Sequence, residues 1–87
     1  MLTPFYTKSF KKDYKKLSAG QKEKVISVID TLSRQVTIEP QYQDHPLKGS
    51  FKGARECHVE PNLLLVYEPT QTDLILYHIS SHAKLFG

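Results

Sequence analysis

The hydrophobic period of this chain changes once, and that change narrows its possible folds more than any other feature. In the first third, apolar residues recur at helical spacing. Phe10, Tyr14 and Leu17 fall at i, i+4 and i+7, with lysines on the other side. From Gln21 a second helix is expected, with Val25, Ile26, Ile29 and Leu32 on one face. Thr7 or Ser9 can cap the first helix, and Gly20 is placed to end or turn it. After Gln35 the pattern breaks, and Pro40, Pro46 and Gly49 mark an irregular connection through about residue 52. Beyond it the spacing is that of strands. Residues 54–60, 63–68 and 73–80 form three runs, separated by turn signals at Pro61-Asn62 and from Pro69 to Thr72. Short connections between successive strands predict an antiparallel meander. Helices first and hairpins after predict one α+β domain over residues 1–87, an N-terminal helical hairpin packed on one face of an antiparallel sheet. The run from Leu63 to Glu68, apolar on both faces, belongs at the sheet centre. Leu2 to Tyr6 are short and apolar, and Pro4 limits them to an edge strand or an extended lead-in.

A chain of 87 residues has enough length for one modest core. Its apolar content is 39%, and no apolar run approaches the roughly 18 residues of a membrane span. No apolar segment of the signal-peptide type follows the first basic residues, so a soluble, cytoplasmic protein without membrane contact is expected. Cys57 is the one cysteine, which excludes an internal disulfide framework and fits a reducing compartment. The net charge of +3 is unevenly spread. Residues 1–24 hold seven lysines against Asp13 and Glu23, while the remainder is slightly acidic. A basic N-terminal segment suits a polyanion or an acidic protein partner, with Lys12 and Lys16 as candidate contacts; a solvated helix face is the plainer reading.

Three histidines carry the chemistry the chain can offer. His45, His58 and His82 each sit in a polar segment beside a strand or within one. Histidine both takes and gives a proton near neutrality. Strand alternation puts Glu56, His58 and Glu60 on one face, and Arg55, Cys57 and Val59 on the other. With helices over the Cys57 face, Glu56 and His58 are expected on the open face. His45 precedes the first strand of the meander and His82 follows the last, so the three can meet on one surface. RNA cleavage through the 2′-hydroxyl needs a base, an acid, cations for the phosphate and an in-line geometry. Two histidines can supply base and acid, and Arg55, Lys48 and Lys52 can hold phosphate. Neither a metal nor a cofactor is expected, because the chain has no CxxC and neighbouring strand residues point apart. Taken singly, a histidine is more often a surface or hydrogen-bonded residue than a catalyst. His78 alternates with Leu74 and Leu76, and Cys57 lies on an apolar face, so both are expected to be structural. Tyr42, Tyr67 and Tyr77 can stack on bases, though packing is the default for strand tyrosines.

The segments Asp44-His45-Pro46-Leu47-Lys48-Gly49, Gly53 to Pro61, Leu64-Leu65-Val66-Tyr67 and Ser81-His82-Ala83-Lys84-Leu85-Phe86, in this order and spacing, resemble the YafQ branch of the RelE-type bacterial toxins. The helical half is similar in pattern, including Ser9-Phe10-Lys11-Lys12-Asp13. The resemblance implies a RelE-like fold and ribosome-dependent cleavage of mRNA in the A site. It implies neutralisation by a cognate antitoxin, expected as a ribbon-helix-helix-like dimer, with operator DNA bound only through the toxin–antitoxin complex. It maps site positions onto His45, Glu56, His58, Asn62 and His82, with Arg55 nearby. His82 is implied as proton donor to the leaving oxygen or as its organiser, and His45 and His58 as base and phosphate contact. Asn62 stands where relatives often have Asp, and Tyr77-His78-Ile79-Ser80-Ser81 replaces a pattern that more often contains Arg and Gly. Two alternatives remain open at this point: a toxin of the same fold without nuclease activity, of the gyrase-inhibiting ParE type, and a non-catalytic module that binds antitoxin or nucleic acid.

Overall fold

A computed structural model describes residues 1–35, 45–46 and 53–81. Strand β1 (Thr3–Tyr6) leads into helices α1 (Lys8–Lys15) and α2 (Ala19–Ser33). Strands β2 (His45–Pro46), β3 (Arg55–Glu60), β4 (Leu63–Pro69) and β5 (Asp73–Ser81) follow. They form one sheet in the order β1-β5-β4-β3-β2. The expected meander is present, since β3 pairs antiparallel with β4 and β4 with β5, and the Leu-rich β4 is central. The sheet as a whole is mixed, because β1 lies parallel to β5 at the edge where Pro4 is tolerated. His45–Pro46, read from sequence as part of an irregular connection, forms a short antiparallel pairing with β3.

Both helices pack on one sheet face. Phe10, Val25, Val28 and Ile29 share one buried cluster with Cys57, Val59, Leu65, Tyr67, Leu74, Leu76 and Ile79. Thr7 caps α1: its hydroxyl accepts from the Phe10 N–H at 3.2 Å and donates to the Leu76 carbonyl at 2.8 Å. One side chain thus starts the helix and ties it to β5. Ser18 and Gln21 form a reciprocal capping box, which starts α2 at Ala19. Gly20 therefore lies inside the first turn of α2 rather than ending α1. The buried stripe of α2 is Val25, Val28, Ile29 with Leu32 beside it, while Ile26 is 45% exposed, contrary to the sequence expectation.

Two irregularities decide which side chains face where. The β3–β4 register shifts between His58 and Glu60, which breaks the alternation. Glu60 accordingly reaches α2, accepting from Lys24 at 2.7 Å and Gln21 at 3.2 Å, instead of sharing a face with His58 as expected. The Lys24 contact, then that of Gln21, holds its carboxyl below the usual range. A second shift, between Val66 and Tyr67, leaves Tyr77 as the extra residue of β5. Among the described residues no helix is long and apolar enough to cross a membrane.

Candidate active site

β3 brings Glu56 and His58 to the sheet face away from the helices. They are two apart on the strand, opposite Val66 and Leu64 of β4 respectively. None of these four belongs to the helix-packed cluster. The His58 Nε2 lies 3.9 Å from the Glu56 Oε1, an ion-pair distance when the imidazole is protonated and too long for a hydrogen bond. His58 is half-buried, whereas Glu56 is only 4% exposed. Leu64 and Val66 are likewise buried, so the face expected to be open is covered at three of its positions. The accessible group of the pair is therefore His58, with Glu56 behind it.

The other candidates distribute as follows. His45 pairs with Glu56 from the outer strand, so its backbone is one strand spacing from the dyad. Arg55 is the first residue of β3, half-buried, and alternates onto the face of Cys57 as expected. Asn62 is exposed in the β3–β4 turn. Lys48, Lys52 and His82, like Tyr42, lie outside the described residues. Ser80 is opposite Leu64, two strands and roughly 10 Å from His58. Ser81, opposite Leu63, is the residue to which His82 is joined.

Two further pairs were not singled out from sequence. The Tyr77 hydroxyl donates to Glu68 Oε1 at 2.8 Å. That hydrogen bond, helped by burial and the carboxylate charge, pushes the phenol up. Gly53 stands beside the same carboxylate with φ +88°, and a Cβ there would come within 3.1 Å of Glu68 Oε2. The second pair joins α1 to β5. β1 covers β5 only from Asp73 to Leu76. Beyond it, Asp13 Oδ2 accepts from the Ile79 N–H at 3.3 Å and lies 3.4 Å from His78 Nδ1. A helix carboxylate thus serves part of an edge that, among the described residues, no strand pairs. Its sequence signal was slight: Asp13 is the single acid in the lysine-rich α1. His78 has the structural setting expected of it, and Cys57 and Tyr67 are core residues.

Residues 2–87 match the family model of the bacterial toxin of type II toxin–antitoxin systems, YafQ. The mRNA interferase toxin YafQ of Escherichia coli K12 is 35% identical over 82 residues, covering 94% of this chain and 88% of that protein. The crystal structure of YafQ from E. coli BL21(DE3) superposes with a TM-score of 0.88 at 32% identity, over the full length of both chains. YafQ in the E. coli DinJ–YafQ toxin–antitoxin complex gives a TM-score of 0.87 at 34% identity, over 99% of this chain and 98% of that one.

Proposed function

The chain belongs to the YafQ family of bacterial type II toxins, and from that premise we propose that it is an endoribonuclease that cleaves mRNA in the ribosomal A site. The observation that carries the reading is the imidazole of His58, half-buried in front of a buried carboxylate, on the sheet face away from the helices. This residue lies in the row next to that of His45, on a strand two removed from the one that leads to His82.

The chemistry is internal transesterification. A base, His58 or His45, takes the proton of the 2′-hydroxyl, and the oxygen attacks the adjacent phosphorus. The P–O5′ bond breaks, and an acid, His82, returns a proton to the departing oxygen. The products are a 2′,3′-cyclic phosphate and a free 5′-hydroxyl. Lys48 and Lys52 hold the phosphate as its charge builds, whereas Arg55, on the Cys57 face of β3, lies on the other side of the sheet. Glu56 orients His58. Asn62, in the exposed turn, is a secondary contact. The step consumes no cofactor and routes no electron pair through a metal. DNA lacks the attacking hydroxyl, so the activity is specific for RNA.

A cognate antitoxin, a ribbon-helix-helix-like dimer, neutralises the protein, and operator DNA is bound only through that complex. The site of action is cytoplasmic. The test is primer extension on a defined mRNA in a purified translation reaction, with wild type and His82→Ala, with and without ribosomes. Cuts within A-site codons that require ribosomes and vanish in His82→Ala are expected. Intact RNA with wild type, in reactions where a known ribosome-dependent nuclease cuts, would favour the gyrase-inhibitor or binding-module reading.

A further inference from the structure

The cleavage chemistry leaves one ionisable side chain on its own sheet face unused. His78 of β5 pairs with Val66 of β4, which pairs in turn with Glu56 of β3. Residues in one row share a face, so His78 stands on the side of Glu56 and His58, two strands and roughly 10 Å from Glu56. The next row, Ser80–Leu64–His58, lies on the same face. Ile79, between the two rows on β5, belongs to the helix-packed cluster. A register shift produces this arrangement. Alternation from Leu74 and Leu76, both in that cluster, would turn His78 toward the helices. The extra residue at Tyr77 reverses the phase and turns His78 to the other side. Bulges recur beside active sites because they re-aim a side chain in this way.

We propose that His78 contacts an RNA phosphate in the cleavage reaction, and that Asp13 of α1 is the positioning residue that aims it. Asp13 is itself fixed, because its Oδ2 accepts from the Ile79 N–H at 3.3 Å and lies 3.4 Å from His78 Nδ1. Its side chain is 17% exposed, against 34% for the imidazole. A ring held through Nδ1 has Nε2 left, and among the described residues nothing bonds to that nitrogen. With a carboxylate on one nitrogen and a phosphate oxygen on the other, both nitrogens donate and the imidazolium lies between two anions. The charges of the face point to phosphate as the ligand. Among its described residues there is no lysine or arginine, and Arg55 lies on the other side. His58 moves a proton, so His78 is the remaining described group of this face that can carry positive charge. The two imidazoles come from strands on either side of β4 and can flank one phosphodiester. A plain tie between α1 and β5 needs only the Ile79 N–H and gives no reason for an exposed ionisable ring. The assignment rests on the nuclease reading of the His58 face.

The test is single-turnover cleavage of ribosome-bound mRNA by the whole chain. Wild type is compared with His78→Ala, His78→Arg, Asp13→Asn and the double variant His78→Ala/Asp13→Asn, each first checked by its melting curve. Asparagine keeps an oxygen for the Ile79 N–H, and His78 is half-exposed, so the variants are expected to fold. His78→Ala should lower the maximal rate about tenfold or more, as loss of a transition-state contact does. His78→Arg should recover most of that loss, because a guanidinium is always charged. Asp13→Asn should cost less than His78→Ala, and nothing further once residue 78 is alanine. A merely structural tie predicts that Asp13→Asn costs the same in both backgrounds. That additivity overturns the proposal, as does a wild-type rate in His78→Ala, or a His78→Arg rate as low as that of His78→Ala. A second measurement needs neither cleavage nor a variant. The imidazole signals of wild type are followed by NMR as a short RNA with 2′-O-methyl riboses, which cannot be cut, is added. The His78 signals should shift, and signals that stay fixed overturn the contact whatever His58 does. Wild type that leaves mRNA intact while His78 shifts would count against the nuclease reading alone. Wild type that cuts, with His78→Ala unimpaired, would count against His78 alone.

Discussion

At His58 the strand presents an imidazole 3.9 Å from the carboxylate of Glu56, which is almost wholly out of solvent. A group so buried cannot reach a ribose hydroxyl, so its influence passes through His58. Removing each should therefore have different consequences. His58→Ala removes the group proposed to move a proton, and the maximal cleavage rate should fall by about 100-fold or more. Glu56→Gln keeps the shape and loses the charge; it should cost less, because the residue acts through His58 rather than on the substrate. Asn62→Ala should barely change the rate, since the residue is exposed in a turn. Single-turnover cleavage of ribosome-bound mRNA checks all three, and a Glu56→Gln loss equal to that of His58→Ala would make the carboxylate more than a positioning group. The place of His58 beside Glu56 on one face of β3 was legible because strand alternation sorts the two together. The burial of Glu56 was not, because alternation assigns a residue to a face and says nothing of how deeply that face is covered.

Among the elements, β5 carries the most consequential departure from regular pairing. The register shift beside Tyr77 gives the strand one extra residue, and Tyr77 uses its hydroxyl to hold Glu68 of β4 across the irregularity. Tyr77→Phe removes that hydrogen bond and should destabilise the fold by about 0.5–1.5 kcal/mol near neutral pH. The pH dependence follows from the raised phenol. The folded state favours the neutral form, so the contribution is complete below the unfolded value of about 10 and lost as pH rises through the higher folded value. Urea unfolding of both proteins should show a constant gap up to about pH 9 that narrows at higher pH; a gap that persists there would remove the hydrogen bond as its cause. Helices and the three meander strands were readable because their period is local. The parallel pairing of β1 was not, because its partner strand begins at Asp73, far along the chain, and Pro4 signals only that the strand is at an edge. The two register shifts were invisible for a related reason: a bulge is a property of the pair, and each strand taken singly alternates normally. Gly20 misled in the other direction, since a capping box one residue on either side of Ala19 and Gly20 outweighs glycine's tendency to end a helix.

In the whole molecule the two sides of one sheet carry different groups. The helices and their lysines occupy one side, and His58 with Glu56 the other. Asp13 is a point at which the first side reaches the second, since α1 carries the carboxylate and β5 the imidazole beside it. The lysines of α1 have no such reach to the reacting phosphate, so what they add to cleavage must pass through binding of the ribosome. Substitutions on the two sides should therefore separate in the kinetics. Lys11→Glu/Lys15→Glu reverses two exposed charges of α1 and should lower cleavage at limiting ribosome concentration, with the maximal rate nearly unchanged. His78→Ala should lower the maximal rate and leave the ribosome dependence nearly as it is. Salt supplies a second sign, because a contact between exposed lysines and ribosomal RNA is screened. The deciding measurement is the cleavage rate of wild type and both variants against ribosome concentration at two ionic strengths. A wild-type advantage over the lysine variant that disappears at high salt would assign the basic face to ribosomal RNA, whereas equal rates for the two at both salt concentrations would leave ribosome recognition to the face of His58.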